Sequence, residues 1–195
     1  MIVLGLTGGI GMGKSTATTI LRRLGVPVFD ADAAVHRLQA RGGRAVAPIA
    51  AAFPGCVTDG RVDREALRRA VLGNPEALER LERIIHPLVR EEERRFLARA
   101  RRAGRRIAVL EVPLLLETGG EARVDRVVVV SAPAAVQRSR VMRRPGMTEQ
   151  RLAAIRARQL PDAEKRRRAD HVIRTGLSRR HAQAAIRRLV LALLG

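Results

Sequence analysis

Residues 8 to 15 read Gly-Gly-Ile-Gly-Met-Gly-Lys-Ser and match the phosphate-loop pattern G-x-x-x-x-G-K-[ST]. A short apolar run, Ile2 to Thr7, precedes this glycine cluster, and residues 14–24 follow it with the apolar spacing of a helix. The motif therefore lies between a strand and a helix, which is the context that a phosphate loop requires. This arrangement predicts an α/β domain that binds a nucleotide through its phosphates.

The residue types of the loop fit that role. Glycines allow successive backbone N–H groups to turn inward, and the start of the following helix adds the positive end of its dipole. We expect Lys14 to bridge the β- and γ-phosphates of ATP and to take part in catalysis, and we expect Ser15 to bind Mg²⁺. The predicted ATP contacts are Gly11, Met12, Gly13, Lys14, Ser15 and Thr16.

The rest of the chain predicts a parallel sheet interrupted by a helical segment. Continuous apolar runs at 107–112 and 124–131 are typical of buried parallel strands, and 171–174 predicts a last short strand. No convincing strand is predicted between residues 44 and 104. Helices are expected there at 63–72, 75–85 and 87–103, with the His86-Pro87 pair separating the last two.

These elements predict one domain with a three-layer α/β P-loop fold of the nucleotide-kinase type. A substrate-binding helical insertion and a lid interrupt its parallel sheet. The core is expected to comprise residues 1–39, 105–137 and 169–195, the insertion residues 40–104, and the lid residues 138–168. The lid is expected to consist of two helices around the basic turn Arg143-Arg-Pro-Gly146.

The composition limits the partners. A net charge of +19 has two interpretations. It indicates an anionic partner, such as a nucleic acid, an acidic membrane face or a polyphosphate ligand. Alternatively, it indicates only a solvated arginine-rich surface. The chain has no Trp or Tyr on which bases could stack, so we expect no specific nucleic-acid partner. No apolar run is long enough for a membrane span and no signal sequence is recognisable, so a cytoplasmic protein without a membrane partner is expected. Cys56 is the single cysteine, which excludes an intramolecular disulfide.

Phosphate loops serve switches, motors and kinases, and two of these classes fit poorly. A guanine-nucleotide switch would need N-K-x-D for its base, but the single asparagine, Asn74, precedes a proline. A nucleic-acid motor usually needs a longer chain for a second core or an oligomer interface. A helical insertion together with a lid is the layout of small-molecule kinases, so the sequence favours a kinase.

Five blocks of the chain, in the same order, resemble those of the dephospho-CoA kinase family. They are Gly5-Leu-Thr-Gly-Gly-Ile-Gly-Met-Gly-Lys-Ser15, Asp30-Ala-Asp32, Leu81-Glu-Arg-Ile-Ile-His-Pro-Leu-Val89, Val112-Pro-Leu-Leu-Leu-Glu117, and Gln159 with Ala169-Asp-His-Val-Ile173. The resemblance implies that Mg-ATP phosphorylates the 3′-hydroxyl of dephospho-CoA to give coenzyme A and ADP. The alternatives are another nucleoside or nucleotide kinase and a nucleic-acid-binding ATPase.

The resemblance also implies roles for individual residues. Asp32 matches the family aspartate beside the acceptor hydroxyl and is expected to be catalytic, although either aspartate of the triplet could also cap a helix. Two arginines match lid arginines of the family that clamp phosphate. Arg140 is expected to be catalytic and Arg144 to contact the substrate. The alternative is that both are surface residues. His86 either contacts the substrate or only satisfies backbone groups at a helix boundary.

Three positions depart from the usual pattern of the family, and one of them is Leu116, which replaces a usual phenylalanine. Glu111 stands where the third core strand usually ends in aspartate, and we expect it to bind Mg²⁺ together with Ser15. Met12 replaces a usual serine. The sequence does not indicate the oligomeric state.

Overall fold

A parallel five-stranded sheet lies at the centre of the computed structural model, which describes all residues from 1 to 195. Its strand order is β2-β5-β1-β6-β7. The strands are β1 (Ile2–Thr7), β2 (Val28–Asp30), β5 (Ile107–Glu111), β6 (Arg126–Ser131) and β7 (His171–Arg174). The three strands at 107–111, 126–131 and 171–174 agree with the sequence predictions, because continuous β-branched apolar runs suit strands that are covered on both faces.

Alternate residues of the strands pack into two different apolar clusters. Val128 and Val130 of β6 contact one cluster, which includes Leu21 of α1 (Lys14–Arg23) and Ile186 of α9 (Arg179–Leu194). Val127 and Val129 face the opposite side, where they pack with Leu115 and Leu116. Since successive side chains of a strand point to opposite faces, this division places layers on both sides of the sheet and confirms the expected three-layer α/β fold.

Three helices lie between β6 and β7 in the chain. They are α6 (Ala134–Met142), α7 (Glu149–Ala157) and α8 (Asp162–Arg167), and a short 3₁₀ turn (Gly120–Arg123) precedes β6. No helix has both the length and the apolar composition that a membrane span requires.

The chain divides into two compact units. The first unit comprises residues 1–29 and 100–195 and contains the sheet, while the second unit comprises residues 30–99. The helices of the second unit are α2 (Ala31–Gln39), α3 (Val46–Ala52), α4 (Arg64–Val71) and most of α5 (Pro75–Arg102). They enclose an apolar core of their own that includes Leu38, Ile49, Phe53, Leu67 and Ile85.

The prediction that this segment lacks strands was wrong. A small antiparallel hairpin pairs β3 (Val57–Thr58) with β4 (Arg61–Val62). Asp59 and Gly60 form its turn with φ of 52° and 71°, the left-handed conformation that two-residue hairpin turns require. The Asp-Gly dipeptide was a usable signal, but two-residue strands are too short to show an alternating pattern.

The expected break at His86-Pro87 is also wrong, because Pro87 lies inside the continuous 28-residue helix α5. A proline removes one backbone N–H and disfavours a helical conformation at the preceding residue. Ile85 is buried in the core of the second unit, and Leu81 and Leu88 pack against the same cluster. This burial on both sides of the proline holds the two halves in one helix.

Asp63 caps the N-terminus of α4. Its Oδ1 accepts hydrogen bonds from the backbone amides of Glu65 (2.9 Å) and Ala66 (3.0 Å). The hydrogen bond from Ala66 is the largest cause that lowers the pKa of this carboxyl group below its ordinary value, although partial desolvation opposes the shift. Because the folded pKa is lowered, the carboxylate contributes stability above its ordinary pKa and loses that contribution as the pH falls through the lowered value.

We therefore predict that Asp63→Asn flattens the acid limb of the stability curve. Asparagine also caps helices but does not titrate, so the cap remains and its pH dependence disappears. Thermal midpoints of both proteins should be compared from about pH 7 to about pH 2. The wild-type midpoint is expected to fall more steeply below about pH 4 than the variant midpoint. Two parallel curves would contradict the prediction.

Candidate active site

The phosphate loop connects β1 to α1 through glycines that no other residue could replace without strain. Gly11 has a φ of 73° and Gly13 a φ of 97°. A Cβ atom at Gly11 would lie 2.6 Å from Cγ2 of Val141, and one at Gly13 would lie 2.8 Å from Oγ1 of Thr175. Both the conformation and the close neighbours therefore require glycine.

Gly13 begins α1 without any side-chain cap, and the first turn of the helix carries no acidic residue. The amides of this turn and the positive end of the helix dipole are therefore not neutralised by the protein. Nζ of Lys14 bends back over the loop and donates hydrogen bonds to the carbonyl oxygens of Gly8 (2.7 Å) and Gly9 (3.4 Å). The structure thus gathers a cation and a helix terminus at one loop, which suits the binding of phosphate.

Two glutamine side chains hold the tip of the loop. The backbone N–H of Ile10 donates to Oε1 of Gln159 (3.0 Å), and Nε2 of Gln137 donates to the carbonyl oxygen of Ile10 (2.8 Å). Gln137 belongs to α6 and is buried, while Gln159 follows α7. Because both polar backbone groups of Ile10 are engaged, the loop keeps its shape without help from a ligand. Sequence reasoning assigned no role to either glutamine.

Arg140 lies against the base of the same loop. Its Nη2 donates to the carbonyl oxygen of Thr175 (2.6 Å), and its Nη1 lies 3.1 Å from Oγ1 of Thr175 and 3.4 Å from the carbonyl oxygen of Gly11. The hydroxyl of Thr175 donates in turn to the carbonyl oxygen of Met12 (2.6 Å). Of the two arginines predicted in the lid, Arg140 therefore contacts the loop. Arg144 is exposed after the end of α6, and no side-chain hydrogen bond brings it to the loop.

The side chain of Met12 is buried, and its sulfur accepts from the backbone N–H of Ala132 (3.1 Å). A contact of Met12 with ATP would therefore use its backbone.

Both predicted metal ligands lie toward the carboxyl ends of the parallel strands. Ser15 is exposed in the first turn of α1, and the half-buried Glu111 ends β5, where it is in register with Leu6 of β1. Parallel strands present their carboxyl ends at one edge of the sheet, and the phosphate loop begins at that edge. No group of three or more His, Cys, Asp or Glu residues is placed to hold a metal ion. One hydroxyl and one carboxylate fit Mg²⁺, which usually takes few protein ligands and completes its shell with water and substrate phosphates.

The two aspartates of the triplet occupy different positions at the start of α2. Oδ1 of Asp30 accepts from the backbone N–H of Ala33 (2.9 Å), so Asp30 is the N-cap of α2. Asp32 is exposed in the first turn of that helix.

His86 is exposed in a groove of about 480 Å³ along α5. Because α5 continues through residues 86 and 87, His86 does not lie at a helix boundary, and that alternative is wrong.

A buried ion pair near the loop was not expected from the sequence. Lys165 of α8 is fully buried, and its Nζ lies 2.7 Å from Oε1 of Glu117. This contact is close enough for an ion pair, although its angles are not those of a hydrogen bond. The same Oε1 accepts from the backbone N–H of Leu160 (2.8 Å), the residue after Gln159. The pair therefore anchors the segment that holds Ile10 of the loop.

We predict that Lys165→Met lowers the free energy of unfolding by about 3–5 kcal/mol, because it leaves the carboxylate of Glu117 buried without a counter-charge. The double variant Glu117→Gln/Lys165→Met removes both charges and should recover a large part of that loss. Urea denaturation measures both effects. As a matched control, Arg83→Met breaks an exposed pair with Glu79 and should cost less than about 1 kcal/mol. Losses that simply add in the double variant would contradict the prediction.

Comparisons with known proteins find relatives over nearly the whole chain. The family model described as dephospho-CoA kinase matches residues 2–179. A dephospho-CoA kinase of Paramagnetospirillum magneticum is 65% identical over 166 residues, which are 85% of this chain and 78% of that protein. A dephospho-CoA kinase of Mesorhizobium japonicum is 58% identical over 195 residues, which are 100% of this chain and 98% of that protein. A crystal structure from Thermus thermophilus superposes with a TM-score of 0.88 and 38% identity, and the match covers 100% of this chain and 98% of that chain.

Proposed function

The chain belongs to the dephospho-CoA kinase family, and from this premise we propose that it transfers the γ-phosphoryl group of ATP to the 3′-hydroxyl of dephospho-CoA. The products are coenzyme A and ADP. The single observation that supports a phosphoryl transfer most directly is the braced phosphate loop, where Lys14 and the uncapped start of α1 lie together. Phosphoryl transfer depends mainly on positioning and on electrostatic stabilisation, and these are the properties that the loop supplies.

In this reaction the 3′-oxygen of the acceptor attacks the γ-phosphorus of ATP. The bond between the γ-phosphorus and the β,γ-bridging oxygen breaks, and ADP leaves with the electron pair of that bond. We assign Lys14 to the negative charge that spreads over the β- and γ-oxygens as this bond breaks. Lys14 lies 2.7 Å from the carbonyl oxygen of Gly8, so a small rotation of its side chain toward a bound phosphate would exchange one oxygen partner for another.

We assign Arg140 a catalytic part in the same step. Its contacts with Thr175 and Gly11 hold a guanidinium group at the base of the phosphate loop. A guanidinium at this place offsets negative charge on the transferred group without having to be reorganised first. Arg144 and His86 are proposed as substrate contacts on the family resemblance alone.

Ser15 and Glu111 are proposed to hold Mg²⁺. Held there, the ion would supply positive charge that offsets the negative charge developing on the phosphates during transfer. The carboxylate of Glu111 ends a strand beside the one that leads into the loop, and this location supports the assignment. Its side chain is one methylene longer than that of the usual aspartate, and its carboxylate would offer the same kind of oxygen ligand.

Asp32 is proposed to act on the acceptor hydroxyl. Asp30 caps α2 while Asp32 lies exposed in the first turn of the same helix, and this difference supports separate roles for the two aspartates. A carboxylate beside the hydroxyl orients it and accepts its proton while the new P–O bond forms. The cytoplasmic location stays a prediction from the sequence.

A coupled ADP-release assay tests the proposed function. We predict turnover with dephospho-CoA, much weaker turnover with adenosine or AMP, and no stimulation by single-stranded DNA. Lys14→Ala, the control, should fold with a nearly unchanged thermal midpoint and lose turnover, because alanine cannot follow the charge on the phosphates. DNA-stimulated ATP hydrolysis, or equal rates with AMP and dephospho-CoA, would overturn the proposal.

Asp32→Asn is predicted to lower kcat and kcat/KM together, because an interaction that strengthens as the hydroxyl loses its proton acts in the transition state. Losses of a general base are typically about 10² to 10⁴-fold, and the loose transition state of phosphoryl transfer places this one at the low end. Steady-state kinetics with dephospho-CoA measure the effect. Full kcat in Asp32→Asn would remove Asp32 from the acceptor hydroxyl.

A further inference from the structure

Four residues of the phosphate loop close a tight turn. The backbone N–H of Met12 donates to the carbonyl oxygen of Gly9 (3.2 Å), which is the hydrogen bond of a β-turn. Ile10 and Gly11 are the two central residues of this turn. Gly11 has a φ of 73°, whereas the φ of Ile10 is not positive. This combination is that of a type II turn.

A type I turn joins the same ends with its middle peptide reversed. Between the two types, ψ of the second residue and φ of the third each change by roughly 150–170°, so the peptide turns over while the ends of the turn stay in place. Glycine supplies the positive φ that the third residue of a type II turn needs, but it adopts a negative φ about as readily. Gly11 therefore permits the observed turn without selecting it.

The direction of the middle peptide decides what the loop offers to a ligand. The chain has no cis peptide bond, so the N–H of Gly11 points opposite to the carbonyl of Ile10. That carbonyl faces α6, and the N–H of Gly11 points away from this helix and donates to no protein atom. A reversed peptide would present the carbonyl oxygen of Ile10 there instead. An N–H group attracts phosphate, whereas a carbonyl oxygen repels it.

The side chain of Gln137 contacts this middle peptide. Gln137 lies in α6 with 4% of its surface exposed, and its Nε2 donates to the carbonyl oxygen of Ile10 (2.8 Å). The reversed peptide would turn the N–H of Gly11 toward Nε2, and two donors cannot form a hydrogen bond with each other. The donor end of Gln137 therefore favours the type II turn over the type I turn.

Gln159 keeps the amide of Gln137 in this orientation. Oε1 of Gln159 accepts from the backbone N–H of Ile10 (3.0 Å), which fixes its own orientation. A Cβ atom at Gly9 would lie 3.3 Å from Oε1 of Gln159 and 3.4 Å from Nε2 of Gln137. An acceptor and a donor thus flank the same backbone position. Turning the Gln137 amide over would place two acceptor oxygens there, which is unfavourable.

We propose that Gln137 is a positioning residue for ATP binding, because its Nε2 selects the type II turn and so directs the N–H of Gly11 toward the phosphates. The inference rests on the proposed function, in which this loop binds ATP, and adds to it a residue that acts through the loop. Selecting the turn before ATP arrives increases the fraction of molecules that can bind it. Apparent affinity falls in proportion to that fraction when the selection is lost.

The test compares Gln137→Met with the wild type. Methionine keeps the length of the side chain but offers no donor to Ile10, so both turns become accessible. We expect Kd for ATP, measured by calorimetry without acceptor, to rise about tenfold or more, because a polar backbone group that loses its partner shifts an equilibrium by about that factor. kcat should stay within about threefold and KM for dephospho-CoA within about twofold, since bound phosphates restore the turn.

Inorganic triphosphate separates an effect on the phosphates from an effect on the base. Its Kd should rise by the same factor as that of ATP. A variant that is only destabilised would instead show a lower thermal midpoint and a lower kcat with an unchanged Kd. Gln150→Met is the matched control, because Gln150 is exposed in α7 and forms no hydrogen bond with the loop. It should leave all constants within about twofold of the wild type.

Gly11→Ala is a second route to the reversed turn. Alanine disfavours a φ of 73°, and its Cβ would lie 2.6 Å from Cγ2 of Val141, whereas the negative φ of a type I turn suits it. Adding Gln137→Met should then weaken ATP binding no further, because both changes act on one peptide. Additive losses, or an unchanged Kd in Gln137→Met, would overturn the inference. A wild-type protein that binds ATP without phosphorylating dephospho-CoA would contradict only the proposed function.

Discussion

The phosphate loop between Gly8 and Lys14 has to keep one backbone conformation, although its glycines can adopt many other conformations at similar energy. Gly11 and Gly13 allow positive φ, but they also make the loop flexible in the absence of other contacts. The rest of the first unit supplies those contacts. Gln137 and Gln159 hold both polar backbone groups of Ile10. The loop is therefore organised before ATP arrives, and little ordering entropy remains to oppose binding.

The bracing continues beyond the residues that touch the loop. Gln159 precedes Leu160, whose backbone N–H donates to Glu117, and Glu117 forms the buried pair with Lys165. A buried pair is a weak source of net stability but a strong constraint on geometry, because separating the charges in an apolar surrounding is costly. At the base of the loop, Thr175 accepts from Arg140 and donates to Met12. The tip and the base of the loop are thus held by different parts of the chain.

The high positive charge is distributed unevenly. Several arginines are engaged in exposed ion pairs, such as Arg44 with Glu91 and Glu92, and the pairing with Glu91 lowers the pKa of that carboxyl group. Arg41, Arg61 and Arg64 instead line a cleft of the second unit whose single carboxylate, Asp63, already accepts hydrogen bonds from backbone amides. A surface of this charge suits an anionic ligand.

The sequence by itself determined the features that depend on neighbours along the chain. Short-range spacing and residue type decide these features. They include the phosphate-loop motif, the buried parallel strands at 107–111 and 126–131, and the capping alternative for Asp30.

The tertiary structure decided the rest. The continuity of α5 through Pro87 depends on burial in the second unit, and Gln137 and Gln159 reach Ile10 from positions 127 and 149 residues away. The pairing of Lys165 with Glu117 and the gathering of Arg41, Arg61 and Arg64 around one cavity arise in the same way. No local pattern marks these residues, since a polar side chain on a helix has the same sequence signature whether it meets water, a backbone amide or a buried charge.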